Sequence, residues 1–272
     1  MSILINMKKL AIYWYGQTGN SFFCAKVIEA CAEKANIKTE LLSMNSMQVN
    51  KDANDPIVLV FPVFNFKMPI TVRDFIEKKL TASQDTPVYA IITMGGSAAN
   101  TPFLLKRSLK KKNLCLQDWL LVRCDDSYIP LRKYFPLFQT HGRPDKTTAT
   151  YIEKFWHEKI LTRHSRLFAF FNPLSLFHWI GAISPDDAPK GLLGKRSWKI
   201  EDCTHCDLCL DCCPTKAITK YNLDLACNEK HCIGCCGCFN ICPSNAWILN
   251  RYGSEYYYKG VNIDSMANAL RH

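Results

Sequence analysis

Residues 203–214 read C-T-H-C-D-L-C-L-D-C-C-P, and residues 232–243 read C-I-G-C-C-G-C-F-N-I-C-P. Both obey C-x2-C-x2-C-x3-C-P, through Cys203, Cys206, Cys209 and Cys213 and then Cys232, Cys235, Cys238 and Cys242. Each cysteine of the first set recurs 29 residues later, so the stretch is an internal duplication. Two-residue gaps let a tight turn aim three successive thiolates at one centre, which is what an iron–sulfur cube needs. Structural zinc also takes thiolates at paired two-residue spacings, but cysteine triplets with a trailing C-P, given twice, weigh against it. A disulfide framework is disfavoured too, because the thiols are densely spaced. The opening M-S-I-L-I-N-M-K-K-L-A-I-Y-W-Y lacks the basic region, apolar core and cleavage site of an export signal. A reducing cytoplasm is the expected location.

Over residues 196–250 the chain resembles a bacterial two-cluster ferredoxin. In such ferredoxins the fourth cysteine, followed by proline, ligates the other cube. The resemblance implies one [4Fe-4S] cluster on Cys203, Cys206, Cys209 and Cys242, and a second on Cys232, Cys235, Cys238 and Cys213. The clusters would then clamp the two half-repeats together. His205 and His231 lie one or two places from these cysteines and are read as surface or outer groups, since the thiolate count is complete. Seven of the 15 cysteines are left over. Cys24, Cys115 and Cys124 are expected to fill a core, and Cys212 and Cys236, outside the duplicated spacing, to be spectators or hydrogen-bond donors beside the ligands.

Upstream, strands and helices alternate. K-L-A-I-Y-W-Y (9–15) reads as a buried parallel strand feeding Gly16, Gln17, Thr18, Gly19, Asn20 and Ser21. A helix over about 22–35 follows, with Phe23, Val27, Ala30 and Cys31 as its expected buried stripe. Strand, small polar turn and helix start together gather backbone N–H groups round a phosphate. The turn has neither G-K-[ST] nor G-x-G-x-x-G, so the triphosphate loop and the dinucleotide fingerprint are both excluded. Residues 39–42 read as a second strand and 57–61 as a central one, ending in the rigid loop Pro62, Val63, Phe64, Asn65, Phe66, Lys67, Met68, Pro69. A helix is expected over 70–80 on Val72, Phe75, Ile76 and Lys79, and a strand over 88–93 opening into Met94, Gly95 and Gly96 after Thr93. The next helix starts at Thr101 and ends in Arg107, Lys110, Lys111 and Lys112, read as a solvated end favoured by the helix dipole. A fifth strand (115–124) and a last helix (147–161) complete a parallel α/β sheet whose ligand loops fall at strand carboxyl ends.

This N-terminal part resembles the flavodoxin family, which holds the FMN phosphate in a T/S-x-T-G-x-T/S loop matched by Gly16–Ser21. Gly16 departs from the pattern by removing one hydroxyl. The resemblance implies that Phe64 or Phe66 stacks on the flavin, and that the backbone of Thr93, Met94, Gly95 and Gly96 meets the pyrimidine side of the ring. The expected fold is α/β, a flavodoxin-like doubly wound parallel sheet with a second, small α+β bacterial ferredoxin-like domain. The expected division is residues 1–165 for the FMN-binding domain, 166–195 for an aromatic and proline-bearing linker, 196–250 for the two-cluster domain and 251–272 for a tail packing on the body.

Three segments keep open readings. Residues 125–146, with Tyr128, Arg132, Tyr134, Phe135, His141 and Arg143, either wall a pocket near the flavin or pack on the surface. The aromatic run 167–180 is too short to span a bilayer and is expected to pack between domains, ahead of a hinge over 186–194. Tyr252, Tyr256, Tyr257 and Tyr258 either shield a cluster or cover the small domain, and residues 261–270 form a possible final helix.

The net charge of +10 is uneven: residues 1–165 carry 23 Lys and Arg against 14 Asp and Glu, and residues 196–250 carry 5 against 6. Bound clusters would make the second part more negative still, so the two parts are expected to face each other or to use opposite partners. No basic helix or finger spacing supports nucleic acid as a partner, and peripheral membrane contact is disfavoured. The combination resembles the fused flavodoxin–ferredoxin proteins of anaerobic bacteria and archaea. It implies an electron-transfer protein coupling one-electron clusters to two-electron FMN, with a redox protein such as a ferredoxin or a reductase as partner. The alternatives are an FMN-dependent, ferredoxin-linked reductase of a small organic substrate held under residues 128–143, where basic residues would suit an anion, and an iron–sulfur redox sensor or scaffold.

Overall fold

The computed structural model describes residues 7–45, 55–83, 86–162, 190–194 and 196–261. The runs at 167–180 and 262–270 and the start of the hinge lie outside them.

Five parallel strands, β1 (Lys9–Trp14), β2 (Lys38–Ser43), β3 (Ile57–Pro62), β4 (Pro87–Met94) and β5 (Cys115–Arg123), form one sheet in the order β2-β1-β3-β4-β5. That is the strand order of a flavodoxin-like doubly wound sheet, with its switch point between β1 and β3. Alternating side chains feed two separate cores. Leu10, Ile12, Trp14, Val58, Val60 and Ile91 pack against α1 (Asn20–Lys34) and α5 (Lys146–Phe155). Ala11, Tyr13, Leu59, Phe61, Ala90 and Ile92 pack against α2 (Ile70–Asp74) and α3 (Thr101–Lys110). Because both faces are covered, the central strands are apolar without alternation, which is why they read from sequence as continuous runs. Helices α2 and α5 each continue as a π-helical turn, over Phe75–Lys79 and Trp156–Ile160.

The stripe of α1 differs from the expected one. Cys24, Ala25, Ile28, Cys31 and Ala32 are buried, Phe23 and Val27 are only partly so, and Ala30 is exposed. Two registers of three-to-four spacing coexist in this helix, and its small residues let it lie close to the sheet on the Cys24–Ile28 side. Left-handed Asn36 (φ 57°) ends it, with Ile37 N–H reaching back to Ala32 O at 2.9 Å. In the next helix Val72, Phe75 and Ile76 are buried as expected, while Lys79 is exposed.

The C-terminal part is an α+β unit of two antiparallel pairs, β6 (Arg196–Trp198) with β9 (Trp247–Leu249) and β7 (Ile218–Tyr221) with β8 (Asp224–Cys227), plus two short helices, α7 (Leu208–Asp211) and α8 (Gly237–Ile241). A one-turn helix, α6 (Lys190–Leu193), precedes it. Its small core holds Phe239, Trp247, Leu249 and Tyr257, with Phe239 edge-on to both aromatic rings. Among the described residues no helix is long and apolar enough to cross a membrane.

Candidate cofactor sites

The duplication of the cysteine motif extends to the backbone. Left-handed residues recur at the 29-residue offset: His205 (φ 54°) with Gly234 (φ 70°), Asp207 (φ 60°) with Cys236 (φ 58°), and Lys216 (φ 52°) with Asn245 (φ 55°). These turns aim N–H groups at sulfur. His205 N–H donates to Cys203 Sγ and Gly234 N–H to Cys232 Sγ, each at 3.4 Å; Ala217 N–H donates to Cys213 Sγ and Ala246 N–H to Cys242 Sγ, each at 3.2 Å. Hydrogen bonds of this kind favour the thiolate over the thiol. Non-glycine residues held at positive φ cost strain, and here that strain orients sulfur in both halves alike.

Cys203, Cys206, Cys209 and Cys242 line one hollow, walled by Leu208, Leu225, Ala246 and Trp247. Three of these thiols come from the first half-repeat and one from the second. Burial pushes the Cys209 thiol up to about 11, and Cys242, Cys206 and Cys203 beside it add to the shift. Of the other four motif cysteines, Cys235 lies near Cys232, Cys213 and Cys238, and Cys238 lies near Cys212 and Cys236 as well. Burial raises Cys235 to about 12, reinforced by Cys232 and Cys213, and Cys238 is raised by burial and then by Cys235. Cys232 moves the other way, to about 6, because the Cys227 thiol, the Gly234 N–H and Arg196 all stabilise its thiolate. Crowded, desolvated thiols repel one another's ionisation, and only a cation or metal cluster among them would make four thiolates favourable together. Among the described residues no three His, Cys, Asp or Glu side chains close around a single ion.

The remaining cysteines divide. Cys24, Cys31 and Cys124 fill the core beside α1, as does Cys212, which contacts Cys209 O at 3.6 Å. Cys115 is exposed, contrary to the expected core role; it begins β5, which pairs with β4 alone and leaves its other edge open. Cys236 is buried with its sulfur 3.7 Å from Gly234 O. His205 Nδ1 lies 3.8 Å from Cys203 Sγ, and His231 is exposed.

At the carboxyl end of β1, residues 16–21 are all buried. None of their backbone N–H groups donates to a described backbone acceptor, and they stand at the N-terminus of a 15-residue helix. Such a cradle fits a phosphate. Ser21 Oγ pairs with Thr93 Oγ1 at 2.9 Å, tying the loop to the end of β4, and a Cβ on Gly16 would crowd Ser21 at 3.3 Å. Beyond β3, Asn65 (φ 45°) and Phe66 (φ 65°) make a tight turn closed by Phe64 and Lys67. Phe66 stands 46% exposed above it, while Phe64 is half-buried. Val63 N–H reaches Thr93 O at 2.7 Å, so Pro62–Phe66 and Thr93–Gly96 line neighbouring strand ends. Gly95 is pinned against Asp126, whose carboxylate would lie 2.2 Å from a Cβ there.

The two units meet at this same edge. A Cβ on Gly237 would lie 2.9 Å from Gln17 Cβ and 3.5 Å from Cys235 Sγ, so the second cysteine set abuts the 16–21 loop. Burial raises the Tyr15 phenol and Cys235 adds to the shift, which puts that thiol within electrostatic reach of the residue that leads into the loop. The tail closes over the loop: Val261 N–H donates to Thr18 O at 3.1 Å, Tyr258 OH donates to Asn20 Oδ1 at 2.7 Å, and Asn20 Nδ2 donates to Asp125 O at 3.0 Å. Asn240 ties three segments, donating to Ser127 O and accepting from Tyr258 N–H, both at 2.8 Å. Residues 125–146 thus serve the junction. Ile129 on α4 (Ile129–Tyr134) is buried in the C-terminal core, Lys133 lies over the Tyr252 ring at 5.1 Å, and Arg132 lies over Tyr258 at 5.5 Å. Tyr257 instead braces its own unit, bonding Trp247 O at 3.0 Å. Replacing Tyr258 by Phe leaves buried Asn20 Oδ1 without its donor and is expected to cost about 1–3 kcal/mol in a urea melt. Sequence reading missed Asn240, Tyr258 and Ile129 as junction residues; the only signal for Tyr258 and Ile129 was apolar and aromatic content in segments with no assigned partner, and Asn240, inside the cysteine motif, gave none.

Neither a family model nor a curated protein matches the chain. Among solved structures the chain is similar to a flavodoxin from the domain Archaea, at 14% identity and TM-score 0.42 over 54% of this chain and 92% of that one. It is also similar to two-electron reduced Megasphaera elsdenii flavodoxin (19%, TM-score 0.36, 42% of this chain and 85% of that one) and to oxidised flavodoxin 1 from Bacillus cereus (15%, TM-score 0.40, 58% and 99%). The fold assignment rests on the strand order and not on these likenesses.

Proposed function

We propose that this chain is an electron-transfer iron–sulfur flavoprotein that holds two [4Fe-4S] clusters and one FMN. The observation that carries the reading is the hollow that collects Cys203, Cys206 and Cys209 with Cys242 from the other half-repeat. A cube spreads four thiolates over its corners, whereas a structural zinc ion would need them closed around one point. When bound, each cluster carries one electron at a time and FMN one or two. The residues of the chain supply position: Cys203, Cys206, Cys209 and Cys242 for the outer cluster, and Cys213, Cys232, Cys235 and Cys238 for the one beside Gln17. The N–H groups of Gly16–Ser21 and the Thr18 hydroxyl would hold the FMN phosphate, and Phe66 and the Thr93–Gly96 backbone would border the ring.

The carrier reading is favoured over a substrate reductase. Arg132 and Tyr134, offered by sequence as part of the wall of a substrate pocket, are engaged with Tyr258 and Tyr252 at the junction, and Lys133 beside them lies over the Tyr252 ring. The outer hollow, with His205 and Asp207 at its rim, suits approach of a small redox protein such as a ferredoxin or a reductase. A Thr18→Ala variant tests the FMN half: one charge-assisted hydrogen bond is worth about 1.5–3 kcal/mol, so FMN affinity should fall about ten- to hundredfold with iron content unchanged. Unaltered affinity would remove the 16–21 loop from the account.

A further inference from the structure

Arg196 is a feature of the C-terminal unit that the duplication does not explain. It stands on β6, opposite Leu249 of β9, and its side chain is 4% exposed. One terminal guanidinium nitrogen donates to Cys232 Sγ and the other to Glu229 Oε2. Nε is buried with no partner among the described residues. A guanidinium stays charged, and burying one is unfavourable unless negative charge faces it. Glu229 is 60% exposed and therefore well screened by water, so the buried charge is matched chiefly on the Cys232 side. The equivalent thiol of the other half, Cys203, has the exposed His205 ring at 3.8 Å, and nearby Lys220 is drawn to Asp207 at 2.8 and 2.9 Å. Two duplicated ligand sets thus sit in unequal fields.

We propose that Arg196 holds the reduction potential of the Cys213, Cys232, Cys235 and Cys238 site above that of the Cys203, Cys206, Cys209 and Cys242 site. The inference rests on the reading that both sets hold [4Fe-4S] clusters. Reduction adds one negative charge, and a buried cation hydrogen-bonded to a ligand sulfur stabilises the added charge. Of one electron shared between the two clusters, the site beside Gln17 therefore holds the larger part, and the site in the outer hollow is the oxidised one. The gradient runs from the solvent-facing hollow toward the 16–21 loop.

The test is a dithionite titration of the full-length, anaerobically purified protein, followed by electron paramagnetic resonance, after iron and sulfide have been quantified. Arg196→Gln should lower the higher of two midpoints by at least tenfold in the one-electron equilibrium, or 59 mV, and leave the other in place. Glu229→Gln removes the anion that shares the guanidinium and should raise that same midpoint. Full iron with both midpoints unmoved, or both moved equally, overturns the role of Arg196. A parent protein without iron overturns the cluster reading itself, which is a separate failure. If Arg196→Gln loses its cluster, the double variant Arg196→Gln with Glu229→Gln is compared with Glu229→Gln alone: a lower midpoint in the double variant supports the proposal and an equal one overturns it.

Discussion

A Cys209→Ser variant, purified without oxygen, should hold about half of the parental iron or less. Cys209 sits at the buried end of the outer hollow on α7, among Cys203, Cys206 and Cys242. Removing it leaves three thiolates for four iron corners, and metal binding in a unit this small is a large part of its folding free energy. The effect should spread, because under the proposed assignment Cys213 and Cys242 each belong to the set of the opposite half, and Trp247 of the second half walls the hollow beside Cys209. A Cys212→Ser variant is the control. Cys212 is more deeply buried and only three residues away, but it packs into the core beside α1 and does not line the hollow. Iron retained in Cys209→Ser, or lost equally from Cys212→Ser, contradicts the ligand assignment.

Gly19→Ala should be the most destabilising single methyl in the described N-terminal unit. Gly19 has φ +85°, and a Cβ there would lie 1.7 Å from the carbonyl oxygen of Val261. A left-handed alanine costs about 1–2 kcal/mol by itself. The obstructing atom is backbone, so no side chain can swing aside and the tail has to lift. That breaks the Val261–Thr18 and Tyr258–Asn20 bonds, worth about 1 kcal/mol each. The combined loss of about 3–4 kcal/mol is a large share of an ordinary domain's stability. Urea melts and proteolysis of residues 252–261 would register it, and Gly96→Ala, whose Cβ meets open space, should change neither. Equal behaviour of the two variants would mean that the tail does not lie on the loop.

The sheet was legible where its residues bury both faces: I-V-L-V-F and V-Y-A-I-I-T are strands because nothing polar interrupts them. The thiol motif was legible because its spacing recurs at a 29-residue offset, and the left-handed turns of the backbone recur with it. The side of α1 that faces the sheet was not, since Ala30 and Ala32 offer similar apolarity and only packing against Ile152 and Trp156 chooses between them. The junction was least legible of all. Asn20 and Tyr258 meet across 238 positions, and Asn240 satisfies its amide on Ser127 from inside a cysteine motif whose spacing drew every other inference. Polar contacts of that kind carry no periodicity, so residues 125–146 and the tyrosines of the tail could not be given partners from sequence.

Whether one chain holds two cubes and a flavin is settled by quantifying iron, acid-labile sulfide and FMN in the anaerobically purified protein. About eight irons, about eight sulfides and about one FMN per chain are expected. Zinc in place of iron, or iron without labile sulfide, would contradict the proposed function.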